Sequence, residues 1–357
     1  MTALDPGLAW PVACALWFEQ QQDEGEDAEP LCLDDGPDAG LIAVFDGLGG
    51  AGGETFETED GPRSGAWLGA RRARAVMERI WSGADRATRG ADLAQRLRDE
   101  LADDLAKAAA GLQPTRKRLR STLLKTLPTT LAAVGFSWDA ERGTGRCDIW
   151  WAGDSRAYLL DPRRGLRQVS LDDLKSGGDA LANLMQDSPL SNFVCAEGGF
   201  QIHHVAVALT GPHVVLVATD GCFGYVPTPA AFEDLVLQAL SASRTPAEWG
   251  RRMEVAVRRV AGDDASLAAV ALGSEDLAAL KRSFKSRGEL VGARFVAPLA
   301  RCEAEVDALR KRLARAEAAR DKLREELWRE YREQYEAQLP AGIRGRLAAG
   351  AAERAGA

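Results

Sequence analysis

Four short turns in this chain set an aspartate beside glycine after an apolar run. They are Val44-Phe45-Asp46-Gly47-Leu48-Gly49-Gly50, Ala152-Gly153-Asp154-Ser155-Arg156, Val217-Ala218-Thr219-Asp220-Gly221 and Val260-Ala261-Gly262-Asp263-Asp264. An apolar run that ends in such a turn reads as a buried strand breaking at its terminus, which would hold each carboxylate at a strand end. Carboxylates gathered there suit hard divalent cations, which take oxygen ligands and accept backbone carbonyls as well. One Asp-Gly alone is more often a simple turn. The signal lies in the set.

The elements that must position these residues can be read from spacing. Leu41–Phe45, Leu131–Trp138, Cys147–Ala152, Ala157–Leu160, Val205–Leu209, Val214–Ala218 and Ser266–Leu272 are β-like runs bounded by Gly, Pro or Asp. Residues 63–81, 91–110, 230–240 and 246–260 carry apolar residues at helical spacing. Strands and helices therefore intermix, without the regular alternation of a doubly wound parallel sheet. Residues 171–200 mix Gly, Asp, Asn, Ser and Pro with no sustained period and read as an irregular or partly helical insertion over the surface.

The chain has 357 residues, 46% of them hydrophobic, enough for one large core plus an appendage. No uncharged apolar run approaches the roughly 18–20 residues of a membrane span, and Thr2-Ala3-Leu4-Asp5-Pro6 does not open a secretory signal. A cytoplasmic protein is expected. The six cysteines lie far apart with no Cys-x-x-Cys pair, so free buried thiols are favoured over a zinc ribbon or disulfide framework. Net charge is −8, and residues 1–62 hold fifteen acids and no Lys or Arg. Such a segment repels nucleic acid and attracts cations. The basic run Arg116-Lys117-Arg118-Leu119-Arg120 lacks interleaved aromatics and reads as a solvated cap or loop.

Residues 301–338 contain no Gly or Pro and balance ten acids against ten bases, with Val306, Leu309, Leu313, Ala316, Leu323 and Leu327 at three-four spacing. This is a long amphipathic helix. Arg320 falls on the stripe, which continues as Trp328, Tyr331 and Tyr335. A coiled coil and packing back onto the domain both remain open. Residues 341–357 read as a disordered Ala/Gly/Arg tail.

In this order the acidic turns resemble the metal-dependent Ser/Thr protein phosphatases of type 2C, the PPM family, in a bacterial-like form. The matching residues are Glu26-Asp27-Ala28, Asp46-Gly47-Leu48-Gly49-Gly50, Thr129-Thr130, Gly153-Asp154-Ser155-Arg156, Thr219-Asp220-Gly221 and Asp263-Asp264-Ala265-Ser266, spanning about 26–272. The resemblance implies an α+β fold, an α-β-β-α sandwich of two antiparallel sheets flanked by helices, with the long C-terminal helix added. The chain would divide into a phosphatase domain over 1–275 with a flap near 171–200, a linker over 276–300, the helix over 301–338 and a disordered tail over 339–357.

The same resemblance implies two Mn²⁺ or Mg²⁺ ions and room for a third. Asp46 would bridge both metals and the Gly47 carbonyl would bind one. Asp220 and Asp263 would bind the other, Asp27 would act through bound water and Asp154 would help hold the third. Asp46, Asp220 and Asp263 would thus carry catalysis. Two divalent ions can activate a water for in-line attack on phosphorus and neutralise the phosphoryl oxygens. The implied activity is hydrolysis of phosphoserine and phosphothreonine in proteins phosphorylated by a partner Ser/Thr kinase, with no nucleic-acid or membrane partner.

The sequence departs from the family at two points. No arginine precedes Arg63, where many members place a phosphate-gripping arginine just before Glu-Asp, leaving Arg63 and Arg156 as candidates for that task, with Arg156 read in preference as a structural ion-pair partner. Leu48 stands where eukaryotic relatives often have histidine; His203, His204 and His213 flank a β-like run and read as sheet or surface residues. Asp264 replaces the usual asparagine, adding charge or facing solvent. The alternative to an enzyme is a catalytically weak or silent module that binds a phosphoprotein or partner through its C-terminal helix, which could mediate self- or hetero-association.

Overall fold

Strands that read as unbroken apolar runs are those covered on both faces. The computed structural model describes residues 10–21, 24–36, 38–59, 61–83, 90–113, 125–176, 178–185, 188–340 and 343. One antiparallel sheet runs β1-β12-β11-β8-β9, made of β1 (Ala13–Phe18), β8 (Arg156–Asp161), β9 (Gly165–Gln168), β11 (His213–Ala218) and β12 (Ala265–Leu272). The other runs β10-β7-β6-β3-β2, made of β2 (Leu31–Asp34), β3 (Ala39–Val44), β6 (Leu131–Asp139), β7 (Thr144–Ala152) and β10 (His203–Thr210). Between the sheets pack Ile42, Val44, Val134 and Ile149 from one and Val215, Val217, Ala268 and Val270 from the other. Every residue of β3, β11 and β12 is buried, whereas edge strand β10 alternates.

Helices close both outer faces. In α2 (Gly65–Gly83) and α3 (Ala91–Gly111), Ala73, Met77, Ile80, Leu97, Leu101 and Leu105 pack at helical spacing on Leu41, Ala43, Ala133 and Trp150. On the opposite face lie α6 (Pro229–Ala242), α7 (Pro246–Arg258) and α8 (Leu277–Val291), with Phe232, Val236, Trp249, Met253, Leu280 and Phe284 buried. Thr-Pro pairs start two of these helices: Thr228 and Thr245 accept from the Ala231 and Glu248 amides at 3.2 and 3.1 Å. Asp276 caps α8 from Ala279 N at 2.6 Å. The short turns α1 (Gly49–Gly52), α4 (Ala180–Met185) and α5 (Asp220–Phe223) and the hairpin β4 (Thr55–Thr58)–β5 (Gly61–Ser64) complete the unit.

The expected α+β sandwich of two antiparallel sheets flanked by helices is the fold observed. Some local expectations differ. Residues 63–64, read as the start of a helix, belong to β5. Residues 276–300, read as a linker, contain α8 and a π-helical turn over Gly292–Val296; Leu280 and Phe284 are buried, and Arg287 binds Glu233 of α6 through two hydrogen bonds at 2.6 and 2.8 Å. Strands β1, β2, β4, β5 and β9 had not been read. Met1–Val296 forms one compact unit and Ala297–Ala357 a second, whose described element is α9 (Ala297–Tyr335). The basic run at 116–120, Gln22 and Asp23, and the tail at 341–342 and 344–357 lie outside the described residues.

Candidate metal centre

Two layers of backbone hold the Asp46 turn. Asp46 follows β3, and its carbonyl accepts from Thr129 Oγ1 at 2.7 Å and Thr130 N at 2.8 Å, tying it to the start of β6. Gly47 makes a single bridge to Thr129. A Cβ on Gly47 would sit 2.7 Å from the Glu26 carbonyl and 2.8 Å from that of Ala66. The motif needs glycine because the chain passes between two backbones. Thr130 Oγ1 in turn meets Ser155 Oγ at 2.6 Å, linking the Asp46 and Asp154 turns.

The second pair of turns closes on the N-terminal acidic segment. Thr219 Oγ1 donates to Asp27 Oδ2 at 2.8 Å and accepts from Ser266 N at 2.9 Å. Ser266 Oγ donates to the Ala28 carbonyl at 2.8 Å. Asp264 adds its charge to Glu26, Asp27 and Asp263 and also ties the corner together: its two oxygens accept from Gln20 N at 2.7 Å and Glu26 N at 2.6 Å, across 244 and 238 residues. Glu26 accepts from Ser64 Oγ at 2.5 Å, and Ser64 accepts from Trp67 N at 3.1 Å, so the β4–β5 hairpin is fastened to the same corner.

These contacts bring carboxylates together, with the Arg156 charge only partly offsetting their repulsion at Asp154 and Asp220. Asp46 is held well above the carboxylate range first by burial, then by the charges of Asp27, Asp220, Asp154 and Asp263. Burial is also the main cause for Asp27, raised well above its ordinary value; for Asp154, pushed up to about 7; and for Asp220, pushed up to about 6. Neighbouring aspartates add to each shift. Asp263 and Glu26, nearer the rim, are raised by burial and by the charge of Asp264. Asp46 is within hydrogen-bonding reach of both Asp27 and Asp220.

Asp154 Oδ1 is buried with no hydrogen-bond partner among the described residues. Buried carboxylates facing one another and an orphaned oxygen fit a hard divalent cation, which would relieve both the repulsion and the missing bond. As they stand, no three His, Cys, Asp or Glu side chains among the described residues form a closed ligand set. Asp27, Asp46, Asp154, Asp220 and Asp263 share one electrostatic neighbourhood, and the Gly47 peptide borders it.

The two arginine candidates separate. Arg156 is buried against Asp172, with hydrogen bonds of 2.9 and 2.6 Å, and its guanidinium lies 4.3 Å from the Phe223 ring. That bidentate pair occupies its donors and braces the segment 171–200 against β8. Arg63 lies on β5, 4.9 Å from the Trp67 ring centroid. Sequence reasoning missed a third arginine, Arg71, stacked on the same indole at 4.0 Å. Among the described residues its Nη1 donates only to the Glu26 and Trp67 carbonyls, at 3.3 and 3.4 Å. Burial lowers it to about 10, opposed by the charges of Glu19 and Asp27. Among the described residues Arg71 makes no ion pair. The signal was present as Trp67-x-x-x-Arg71, one helical turn apart.

The histidines are engaged elsewhere. His203 bonds Asp173 and stacks on Trp151, His204 bonds Asp148 and stacks on Trp150, and His213 bonds the Gly211 carbonyl. The segment 171–200 is anchored as well: Asp173 accepts from Gly153 N and Asn192 Nδ2, and Asp173 N donates to the Gly153 carbonyl.

No protein-family model matches the sequence, and no curated protein does. Solved structures do match. The catalytic domain of the serine/threonine protein phosphatase PstP in complex with two manganese ions aligns at 19% identity and TM-score 0.50, covering 73% of this chain and 97% of that one. The Mycobacterium tuberculosis phosphatase PstP/Ppp aligns at 17% identity and TM-score 0.51, covering 72% and 97%. The S. agalactiae serine/threonine phosphatase aligns at 12% identity and TM-score 0.53, covering 73% and 98%. The fold is that of the bacterial PPM-type serine/threonine phosphatases.

Proposed function

We propose that this chain is a cytoplasmic, metal-dependent protein-serine/threonine phosphatase that removes phosphoryl groups placed by a partner kinase. One observation carries the reading: aspartates from four separate turns and the N-terminal segment raise one another's proton affinity in a fold shared with phosphatases. A scaffold has no need of such mutual repulsion. No helix among the described residues is long and apolar enough to cross a membrane.

Asp46, Asp220 and Asp263, with the Gly47 carbonyl, would hold two Mn²⁺ or Mg²⁺ ions; Asp27 would support them and Asp154 would help hold a third. When bound, the ions would supply an activated water and neutralise the phosphoryl oxygens. Thr219 fixes the carboxyl orientation of Asp27, and Thr129 and Thr130 fix the Asp46 backbone, so little rearrangement is needed at the moment of reaction. Arg71, with Arg63 on the same indole, would grip the substrate phosphate from a helix rather than from the N-terminal segment. A guanidinium with only long carbonyl contacts has donors to offer a phosphate. Asp173 and Asp148 already engage His203 and His204, so solvent would protonate the departing serine or threonine oxygen.

Hydrolysis of a phosphothreonine peptide and of p-nitrophenyl phosphate with Mn²⁺, alongside calorimetric Mn²⁺ titration, tests this. Turnover should be present in the wild type and lost in Asp46→Asn and Asp220→Asn. Arg71→Ala should raise KM roughly 10–150-fold, the loss of one or two charged hydrogen bonds. Mn²⁺ binding without turnover would overturn the enzyme reading in favour of a phosphoprotein-binding module.

A further inference from the structure

Taken by itself, α9 buries no residue, yet its apolar positions obey a heptad from Leu299 to Leu327. Assigning Val306 to position a places Leu299, Val306, Leu313, Arg320 and Leu327 at a, and Cys302, Leu309, Ala316 and Leu323 at d. The aromatic extension leaves this seam: Trp328, Tyr331 and Tyr335 fall outside a and d and cluster on one another, at 5.6 and 6.0 Å between ring centroids. Glu330 and Gln334 occupy the next d and a positions, so the seam ends at Leu327. It spans about four heptads, roughly 43 Å of helix.

Flanking charges select the occupant. The e positions read Glu303, Arg310, Glu317 and Arg324; the g positions read Glu305, Arg312, Ala319 and Glu326. In a parallel, in-register pair each g faces the next e of the other helix. Glu305 then meets Arg310 of a second copy, Arg312 meets Glu317, and the remaining pairs are neutral. Sliding by one heptad in one direction sets Glu305 against Glu317 and Arg312 against Arg324. Sliding in the other sets Glu305 against Glu303 and Arg312 against Arg310.

Aligning the same four heptads antiparallel matches Glu303 with Arg324 and Arg310 with Glu317 but sets Glu305 against Glu326, so only the parallel, in-register pair has no like charges facing each other at the flanking positions. Among the described residues Glu305, Arg312 and Glu317 make no ion pair within the chain, while Arg310 reaches Asp307 only at 3.4 Å. Arg320 at an a position, hydrogen-bonded to its own Asp321, is the polar residue that costs stability and fixes register.

We infer that the helix over Leu299–Leu327 pairs with the same helix of a second copy as a parallel, in-register coiled coil, making the protein a homodimer. This stands independently of the metal centre. Cys302, exposed at a d position, reports orientation. In the parallel dimer two Cys302 thiols face each other; in an antiparallel one they lie about 25 residues, or roughly 37 Å, apart.

The full chain is measured by light scattering at micromolar concentration, then oxidised with copper-phenanthroline, which takes two electrons and two protons as two thiols become one disulfide. Twice the chain mass and a covalent dimer absent in Cys302→Ser are expected. Leu313→Asp with Leu323→Asp should give a monomer whose circular dichroism retains the sheet signal. Arg312→Glu should weaken association roughly 5–30-fold, and adding Glu317→Arg should restore it. A wild-type monomer would overturn the inference, whether the stripe packs on its own domain or waits for another protein. A dimer that survives the double aspartate substitution would overturn the seam, and a dimer without the Cys302 link would overturn the parallel register.

Discussion

Replacing Asp154 by asparagine should stabilise the metal-free protein, although Asp154 lies in the candidate metal centre. Burial and the charges of Asp220 and Asp172 lift its carboxyl from 3.8 to about 7. The folded protein therefore keeps that proton where the unfolded chain has released it, and stability falls as pH rises from about 4 to about 7. A shift of about three units is worth about 4 kcal/mol above pH 7. Some of this is screened by water at the rim, and asparagine carries its own desolvation cost, so about half is expected, about 2 kcal/mol. For a unit of about 300 residues that corresponds to a Tm rise of roughly 3 °C.

Thermal unfolding of wild type and Asp154→Asn in EDTA at pH 8 and pH 5 measures it. The gap should be full at pH 8 and less than half as large at pH 5. Adding Mn²⁺ should stabilise the wild type more than the variant. No gain at pH 8, or an equal gain at both pH values, would refute the placement of Asp154 among mutually repelling carboxylates.

Gly47→Ala should cost about 2–3 kcal/mol in denaturant titrations, since its Cβ would press on the Glu26 and Ala66 carbonyls, with Mn²⁺ affinity falling alongside. Asp264→Ala strips the Gln20 and Glu26 amides of their acceptor and should cost about 1–3 kcal/mol. Glu-C protease should then cut faster around Glu19–Glu26, while the second unit keeps its wild-type pattern. Arg156→Ala breaks the buried pair with Asp172 and should cost about 3–5 kcal/mol. Its KM below the melting transition should stay near wild type, the opposite of Arg71→Ala.

The acidic turns and central strands were legible because each carries its own signal: a fully apolar run that stops at Asp-Gly reports a strand covered on both faces. The misses share a different cause. Four of the unread strands, β2, β4, β5 and β9, are only four residues long, too short to show a period. The linker reading of 276–300 passed over Leu277, Leu280 and Phe284, whose three-four spacing needs Glu233 on another helix to fix where α8 lies. Asp264 acts through partners distant in sequence, the Gln20 and Glu26 amides, and nothing in its neighbours announces them; for Arg71 the spacing from Trp67 shows the stacking but not the contact with the Glu26 carbonyl. Arg156 was legible as a structural ion-pair partner, but not its acid, Asp172, which lies in a segment without periodicity.

The pairing of β1 with β12, Ala13 opposite Val270, together with the Asp264 bonds to Gln20 and Glu26, joins the two ends of the first unit. On a ribosome adding roughly 5–20 residues each second, β1 emerges well over ten seconds before the strand it must pair with. Until then its apolar face is without a home and Glu26 and Asp27 are not yet held in place. The candidate metal centre is therefore a late product of biosynthesis: no nascent chain shorter than about β12 could assemble it, and a transcript truncated before Ala265 would yield only a chain with an open sheet edge for chaperones and proteases to handle.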